Sequence, residues 1–168
     1  LRGMSVILQD LGNWERVLII NKKRLDLEPN NYNVARNLAM VYFEKKDYLK
    51  AIEYFTIMTG LGGWLDEGYL NIGMCYYRMK NYEQAITYLE KARDYLNVMP
   101  EISRDGITKE EIQDKLYPFL YSYLPWAYQL AGYQNKSIKL LESEILIKYP
   151  DGANYYYALA SAYKKIDN

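Results

Sequence analysis

The chain has 168 residues, with 21 Lys plus Arg against 21 Asp plus Glu, no histidine and one cysteine. Balanced charge leaves no net field to attract nucleic acid or an anionic membrane, and no apolar run approaches the length of a bilayer span, so neither nucleic-acid binding nor membrane insertion is expected. The lack of histidine removes the commonest general base and metal ligand, and a lone Cys75 builds neither a disulfide nor a thiolate cluster, so no enzyme, metal or cofactor chemistry is expected.

Residues 1–30 read as a helical hairpin shortened at its start. Leu1, Met4 and Leu8 share one helical face, Gly12-Asn13 makes the turn, Trp14 opens the second helix and Pro29 closes the unit. Asn21 departs from the pattern, standing where a large apolar residue belongs. Residues 31–64 follow as two amphipathic helices joined at Lys46-Asp47, and residues 65–99 repeat them 34 positions later, with Leu38, Tyr42 and Ala51 answered by Ile72, Tyr76 and Ala85. Asp47 and Asn81 are placed to cap the second helix of each pair, and Gln84 adds a capping-box partner for Asn81. Gly60, Gly62 and Gly63 end the first of these units, since glycine closes a helix in the left-handed conformation.

Residues 100–117 break the period, because Ala85 and its counterpart Ser137 lie 52 positions apart, one repeat and an 18-residue insertion. Asp105-Gly106 signals a turn, and Thr108 with Glu111 forms a capping box that starts a helix near Lys109, either a separate short one or an extension of the next. Glu110-Glu111 is read as a helix-start charge pair and not a catalytic dyad. Residues 118–152 are a divergent unit in which Pro125 is expected to kink the helix near Tyr121 to Leu124, and Pro150 closes it one residue late. Residues 153–168 are a first helix without its partner.

A fixed period of this size means an all-α solenoid of stacked antiparallel helix hairpins and not one globular core. The motifs Ala35-x-x-Leu38-Ala39-x-x-Tyr42 then Ala51-x-x-x-Phe55, and Tyr69-x-x-Ile72-Gly73-x-x-Tyr76 then Ala85-x-x-x-Leu89, resemble the tetratricopeptide repeat. The resemblance implies a right-handed superhelix whose first helices line a concave face that binds a peptide or partner segment. Small residues (Ala39, Gly73, Ala51, Ala85) stand where backbones approach, and large ones fill the space between hairpins.

Carried onto the matching positions, the resemblance implies a peptide-binding set of Asn33, Arg36, Asn37, Met40, Phe43, Asn71, Met74, Tyr77, Arg78, Tyr123, Trp126 and Gln129. Glu44, Leu70, Ser122, Asn154, Tyr157, Ser161 and Lys164 share those faces. Asn37 and Asn71 match an asparagine that holds a ligand backbone in such repeats, and Arg36 and Arg78 are placed to fix a carboxylate. Met40, Phe119 and Tyr123 stand where a clamp for a C-terminal carboxylate needs polar groups, so an apolar, adaptable groove for a hydrophobic peptide or amphipathic helix is expected instead.

The leading expectation is therefore a non-enzymatic interaction scaffold with a protein or peptide partner. The alternatives are an assembly module self-associating through its last helix, and the sensor segment of a larger enzyme or peptide-responsive regulator. No charged-then-apolar leader precedes the first residues, which favours the cytoplasm. The start at Leu1 also suits a fragment or a processed form, and leaves export open.

Overall fold

The computed structural model describes residues 14–101 and 106–166. The helix expected over Leu1 to Leu8, its Gly12-Asn13 turn and Asp105 lie outside them. Among the described residues the regular structure is helical throughout: α1 (Trp14–Leu27), α2 (Tyr32–Glu44), α3 (Tyr48–Gly60), α4 (Leu65–Arg78), α5 (Tyr82–Val98), α6 (Lys109–Leu130), α7 (Gln134–Leu140), a π-helical segment (Leu141–Ile145), α8 (Leu146–Lys148) and α9 (Ala153–Ile166). From α1 to α7 each helix packs on the ones before and after it, and α9 returns onto α7 and α6. This neighbour-by-neighbour contact is the architecture of a solenoid.

One device makes the turn of three successive hairpins. Lys46, Lys80 and Gly132 adopt positive φ of 60°, 62° and 90°. The residue after each donates its N–H five residues back, Asp47 to Tyr42 O at 2.9 Å, Asn81 to Tyr76 O at 2.9 Å and Tyr133 to Tyr128 O at 2.7 Å. That 6→1 bond with a left-handed residue before it is the Schellman motif. In the first two hairpins the next residue doubles as the cap of the returning helix: Asp47 Oδ1 accepts from Lys50 N and Asn81 Oδ1 from Gln84 N, both at 3.3 Å. Gly62, at φ 74°, closes α3 the same way, with Gly63 N donating to Met58 O at 2.9 Å.

The small-residue positions lie where expected. Ala39, Ala51 and Ala85 are fully buried. A Cβ on Gly73 would stand 2.8 Å from Leu89 Cγ and 3.1 Å from its backbone nitrogen, so α4 and α5 meet there through a missing side chain. Asn21 is buried, and its amide donates to Val17 O at 3.1 Å one turn back, so it is a polar residue occupying a core position. The buried side chains form two clusters, one from α1 to α4 and one from α4 to α9. Helix α4 serves both, giving Ile72 and Cys75 to the first and Leu70 to the second.

The insertion lengthens the helix that follows it. Thr108 and Glu111 form the capping box, and α6 runs from Lys109 through both Pro118 and Pro125 as one helix. Pro125 leaves Tyr121 O without its helical donor, yet the helix continues to Leu130. The added turns of α6 lie along the end of α5: Gln113 Nε2 donates to Leu96 O at 2.7 Å, Lys109 Nζ to Asn97 O at 2.9 Å and the Tyr117 hydroxyl to Asn97 Oδ1 at 2.5 Å. Downstream, the π segment inserts one residue between Ser137 and the helix end, which accounts for Pro150 arriving one position late.

Candidate functional site

The first helices α2, α4, α6 and α9 carry the predicted stripe, and the aromatic spacing of the sequence brings its members into contact across helices. Tyr77 of α4 meets Tyr123 of α6 edge-on at 5.1 Å between ring centroids, and Tyr82 at 5.6 Å. Arg78 Nη2 donates to the Tyr123 hydroxyl at 3.0 Å. Trp126 of α6 meets Tyr157 of α9 at 5.9 Å, and Phe43 of α2 packs edge-on against Tyr48 at 5.7 Å. Met40 and Phe43 rest on the first core cluster, and Met74, Tyr77, Tyr123 and Trp126 on the second, all half-buried. Aromatic and thioether groups with one face on a core and the other in water suit docking of an apolar segment. Burial pushes the Tyr77 hydroxyl above the usual tyrosine range, with Tyr82 and Tyr123 adding to it, so it is a neutral donor at physiological pH.

The arginines have other work. Arg36 Nε donates to Glu67 Oε1 at 2.8 Å, its Nη2 forms an ion pair with the same oxygen at 2.6 Å, and its guanidinium lies 5.5 Å from the centre of the Trp64 ring. Its charge is thus committed to a buried carboxylate at the start of α4 and is not held for a ligand carboxylate. Arg78, exposed, stands 5.8 Å over the Tyr123 ring that it also bonds, which ties it to the aromatic ladder. Asn71 donates its amide to Glu67 O at 2.9 Å, four residues back on its own helix. Asn33 and Asn37 are half-buried on α2, where the Asn33 backbone N–H donates to the capping Asn31 Oδ1 at 3.0 Å.

Two inward-facing assignments are corrected. Gln129 is 2 % exposed and donates to Ser137 Oγ at 3.1 Å and Ala158 O at 2.9 Å, so it joins α6 to α7 and α9 from within. Leu70 is buried in the second cluster. Both sit one position round the helix from the stripe, where α5 and α7 close over the first helices.

The sequence reading missed the Arg36–Glu67 pair and the pocket beside it. The signal was available: Glu67 stands one repeat after Asn33, and in a 34-residue period a residue faces the position 31 ahead of it. That pocket lies between the start of α4 and the added turns of α6, with Trp64 and Leu116 in its wall. Cys75 is buried in α4, where burial pushes its thiol up to about 12 and keeps it protonated and inert. No described helix is long and apolar enough to cross a membrane.

Comparison with known proteins agrees with this geometry. The family described as tetratricopeptide repeat matches residues 67–94, and a second profile of that description matches residues 37–56. Among solved structures, MamA superposes with a TM-score of 0.74 at 22% identity over 95% of this chain and 77% of that one. YrrB, described as a TPR protein with an unusual peptide-binding site, gives 0.75 at 16% identity, over 99% and 76%. The TPR-like repeats of a Podosopora anserina putative kinesin light chain give 0.68 at 12% identity, over 96% and 82%. At these identities the likeness is one of fold. The comparison with curated proteins returned no match.

Proposed function

Because this chain belongs to the tetratricopeptide-repeat family, we propose that it is an interaction scaffold that holds an apolar peptide or amphipathic helix of a partner protein along its first helices. The observation that carries the reading is the two aromatic pairs along the stripe, Tyr77–Tyr123 between α4 and α6 and Trp126–Tyr157 between α6 and α9. With Arg36 committed to Glu67, the surface offers aromatic and thioether contact area and few free charges. Such anchors dominate binding energy at interfaces, and methionine lets the surface adapt to different apolar side chains.

Affinity capture from lysate of the source cell, with the Tyr77→Ala/Trp126→Ala double variant as control, tests it. A partner retained by the native chain and lost by the variant, at equal helical content by circular dichroism, supports the groove. Retention of the same partner by both means that binding lies elsewhere.

A second reading, assembly through α9, has its own observation. Tyr163 matches Tyr42 and Tyr76 in the repeat frame, but it is 45 % exposed where Tyr42 is 5 % exposed, and Ile166 beside it is also exposed. Light scattering across a concentration range separates the readings, because a mass that stays monomeric removes this one.

A further inference from the structure

The added turns of α6 rise beside the start of α4, and between them lies a partly enclosed pocket of about 80 Å³. Trp64 from the α3–α4 joint, Ile107 before α6, and Ile112 and Leu116 on α6 form its apolar wall. Asp66, Glu67, Glu111 and Lys115 complete the lining. We propose that this pocket is an anchor subsite of the groove and takes one short, uncharged aliphatic side chain of the bound segment, of the size of valine or leucine. The inference rests on the reading of the first-helix face as a peptide groove, and the insertion is then the part of the chain that fixes one anchor position of the peptide held there.

Three observations carry it. The first is that the carboxylates of the lining are already engaged. Glu67 is ion-paired with Arg36 at 2.6 Å. Glu111 Oε2 accepts from the Thr108 N–H at 2.8 Å and from its hydroxyl at 3.0 Å, and the buried Asp66 has an interaction of its own. A cation entering the pocket would leave water and meet no carboxylate held open for it, and an anion would meet three groups of its own sign. An uncharged aliphatic group disturbs none of these pairs and gains from burial against Trp64, Ile107, Ile112 and Leu116. The second observation is size. Since roughly 150 Å³ admits the six carbons of benzene, 80 Å³ has room in proportion for about three or four, which is an isopropyl or isobutyl group and not an aromatic ring. The third is continuity with the stripe. Helices α4 and α6, which form the pocket, also carry Tyr77, Tyr123 and Trp126, and Arg36 of α2 reaches both Glu67 and Trp64 in its wall.

Blocked amino acids test the pocket without a peptide. The N-acetyl amides of valine, leucine, phenylalanine, lysine and glutamine are titrated into the full chain, reading the Trp64 indole N–H and the Ile107 and Ile112 methyl signals by NMR. The valine and leucine amides are expected to shift these signals saturably, at concentrations about fivefold below those needed with the other three. Ile107→Trp, at the loop end outside the helix, fills the pocket and abolishes the response. Ile112→Ala, which cuts that part of the wall back to a methyl group, is expected to lower the half-saturating concentration of the phenylalanine amide about threefold. An equal response of the native chain to the lysine or glutamine amide overturns the aliphatic assignment, and an equal response to the phenylalanine amide overturns the assignment of size. No saturable shift with any of the five overturns the pocket as a subsite. Partner capture lost in the Tyr77→Ala/Trp126→Ala variant but unchanged by Ile107→Trp places the failure in the pocket and leaves the groove standing, whereas capture kept by that double variant is the failure of the groove itself.

Discussion

Arg36 and Glu67 are joined through a single carboxylate oxygen, Oε1, which accepts from Nε and lies 2.6 Å from Nη2 of the same guanidinium. The pair ties α2 to α4, one repeat to the next. It also changes what substitution at Arg36 does. Arg36→Ala leaves Glu67 buried without its counter-charge and is expected to lower unfolding stability by about 2 kcal/mol. The Arg36→Met/Glu67→Met double variant, which removes both charges, is expected to lose less than the single variant. Urea denaturation of the native chain and the two variants in one buffer checks the order, and a double variant that loses more than the single one would mean that the unpaired carboxylate is not the cause.

Alkaline pH attacks the second cluster. The Tyr121 hydroxyl donates to Glu144 Oε1 and that of Tyr128 to Glu90 Oε1, each at 2.5 Å. Burial first and the carboxylate second push both hydroxyls well above the usual tyrosine range, and burial with the nearby Glu144 pushes Tyr117 up to about 12. A group whose folded pKa is raised contributes stability that is complete below its unfolded pKa, about 10 for tyrosine, and is lost as pH rises above it. Stability is therefore expected to be flat in this respect up to about pH 10 and then to fall, by at most about 1.4 kcal/mol per pH unit for each such tyrosine. Tyr128→Phe, which cannot ionise, is expected to flatten that fall while costing stability at neutral pH, where Glu90 loses its donor. Guanidinium unfolding between pH 8 and 11 reads both effects.

The hairpin turns hold an unused reserve of stability. Lys80 sits at φ 62° in the position that Gly132 fills two helices later. A lysine there carries a left-handed strain that glycine does not, so Lys80→Gly is expected to stabilise by about 0.5 to 1 kcal/mol despite the added freedom of the unfolded chain. Lys80→Ala, which keeps a Cβ, is expected to leave the midpoint where it was. Thermal unfolding of the two variants side by side distinguishes them.

At Gly73 the opposite holds. A methyl group there would meet Leu89 Cγ at 2.8 Å and the Leu89 backbone nitrogen at 3.1 Å. Gly73→Ala is expected to cost about 1 to 3 kcal/mol by forcing α4 and α5 apart. Adding Leu89→Ala relieves only the side-chain part of the clash, so the double variant stays below the sum of the two losses. Urea midpoints of the single and double variants measure the coupling.

The repeat frame was legible because its determinants are local. Leu38, Tyr42 and Ala51 recur at a fixed spacing, Asp47 and Asn81 announce caps, and Thr108 with Glu111 marks the start of α6. Each signal needs only a few neighbouring residues. The box expected at Asn81 forms its first half, with Asn81 Oδ1 taking the Gln84 N–H. What stayed hidden depends on how far a helix rotates and on what a charge meets in the next repeat. Gln129 reads as an amide on an open face, yet a turn of α6 carries it under α7 and α9, where Ser137 and Ala158 accept its protons. Arg36 reads as a ligand-binding cation, because Glu67, its partner, lies 31 positions away on a different helix. The insertion was visible as a break in period, while its course along the α5 end rests on Gln113 and Lys109 reaching backbone carbonyls that no motif specifies.

Helix α4, which gives Leu70 to one cluster and Ile72 and Cys75 to the other, is the one described helix with fully buried side chains in both. Fraying that begins at either end of the row must stop there or take the whole molecule with it. The amides of α4 should therefore be the last to trade hydrogen for deuterium, and a cut placed beside this helix would leave two pieces of which neither holds its shape.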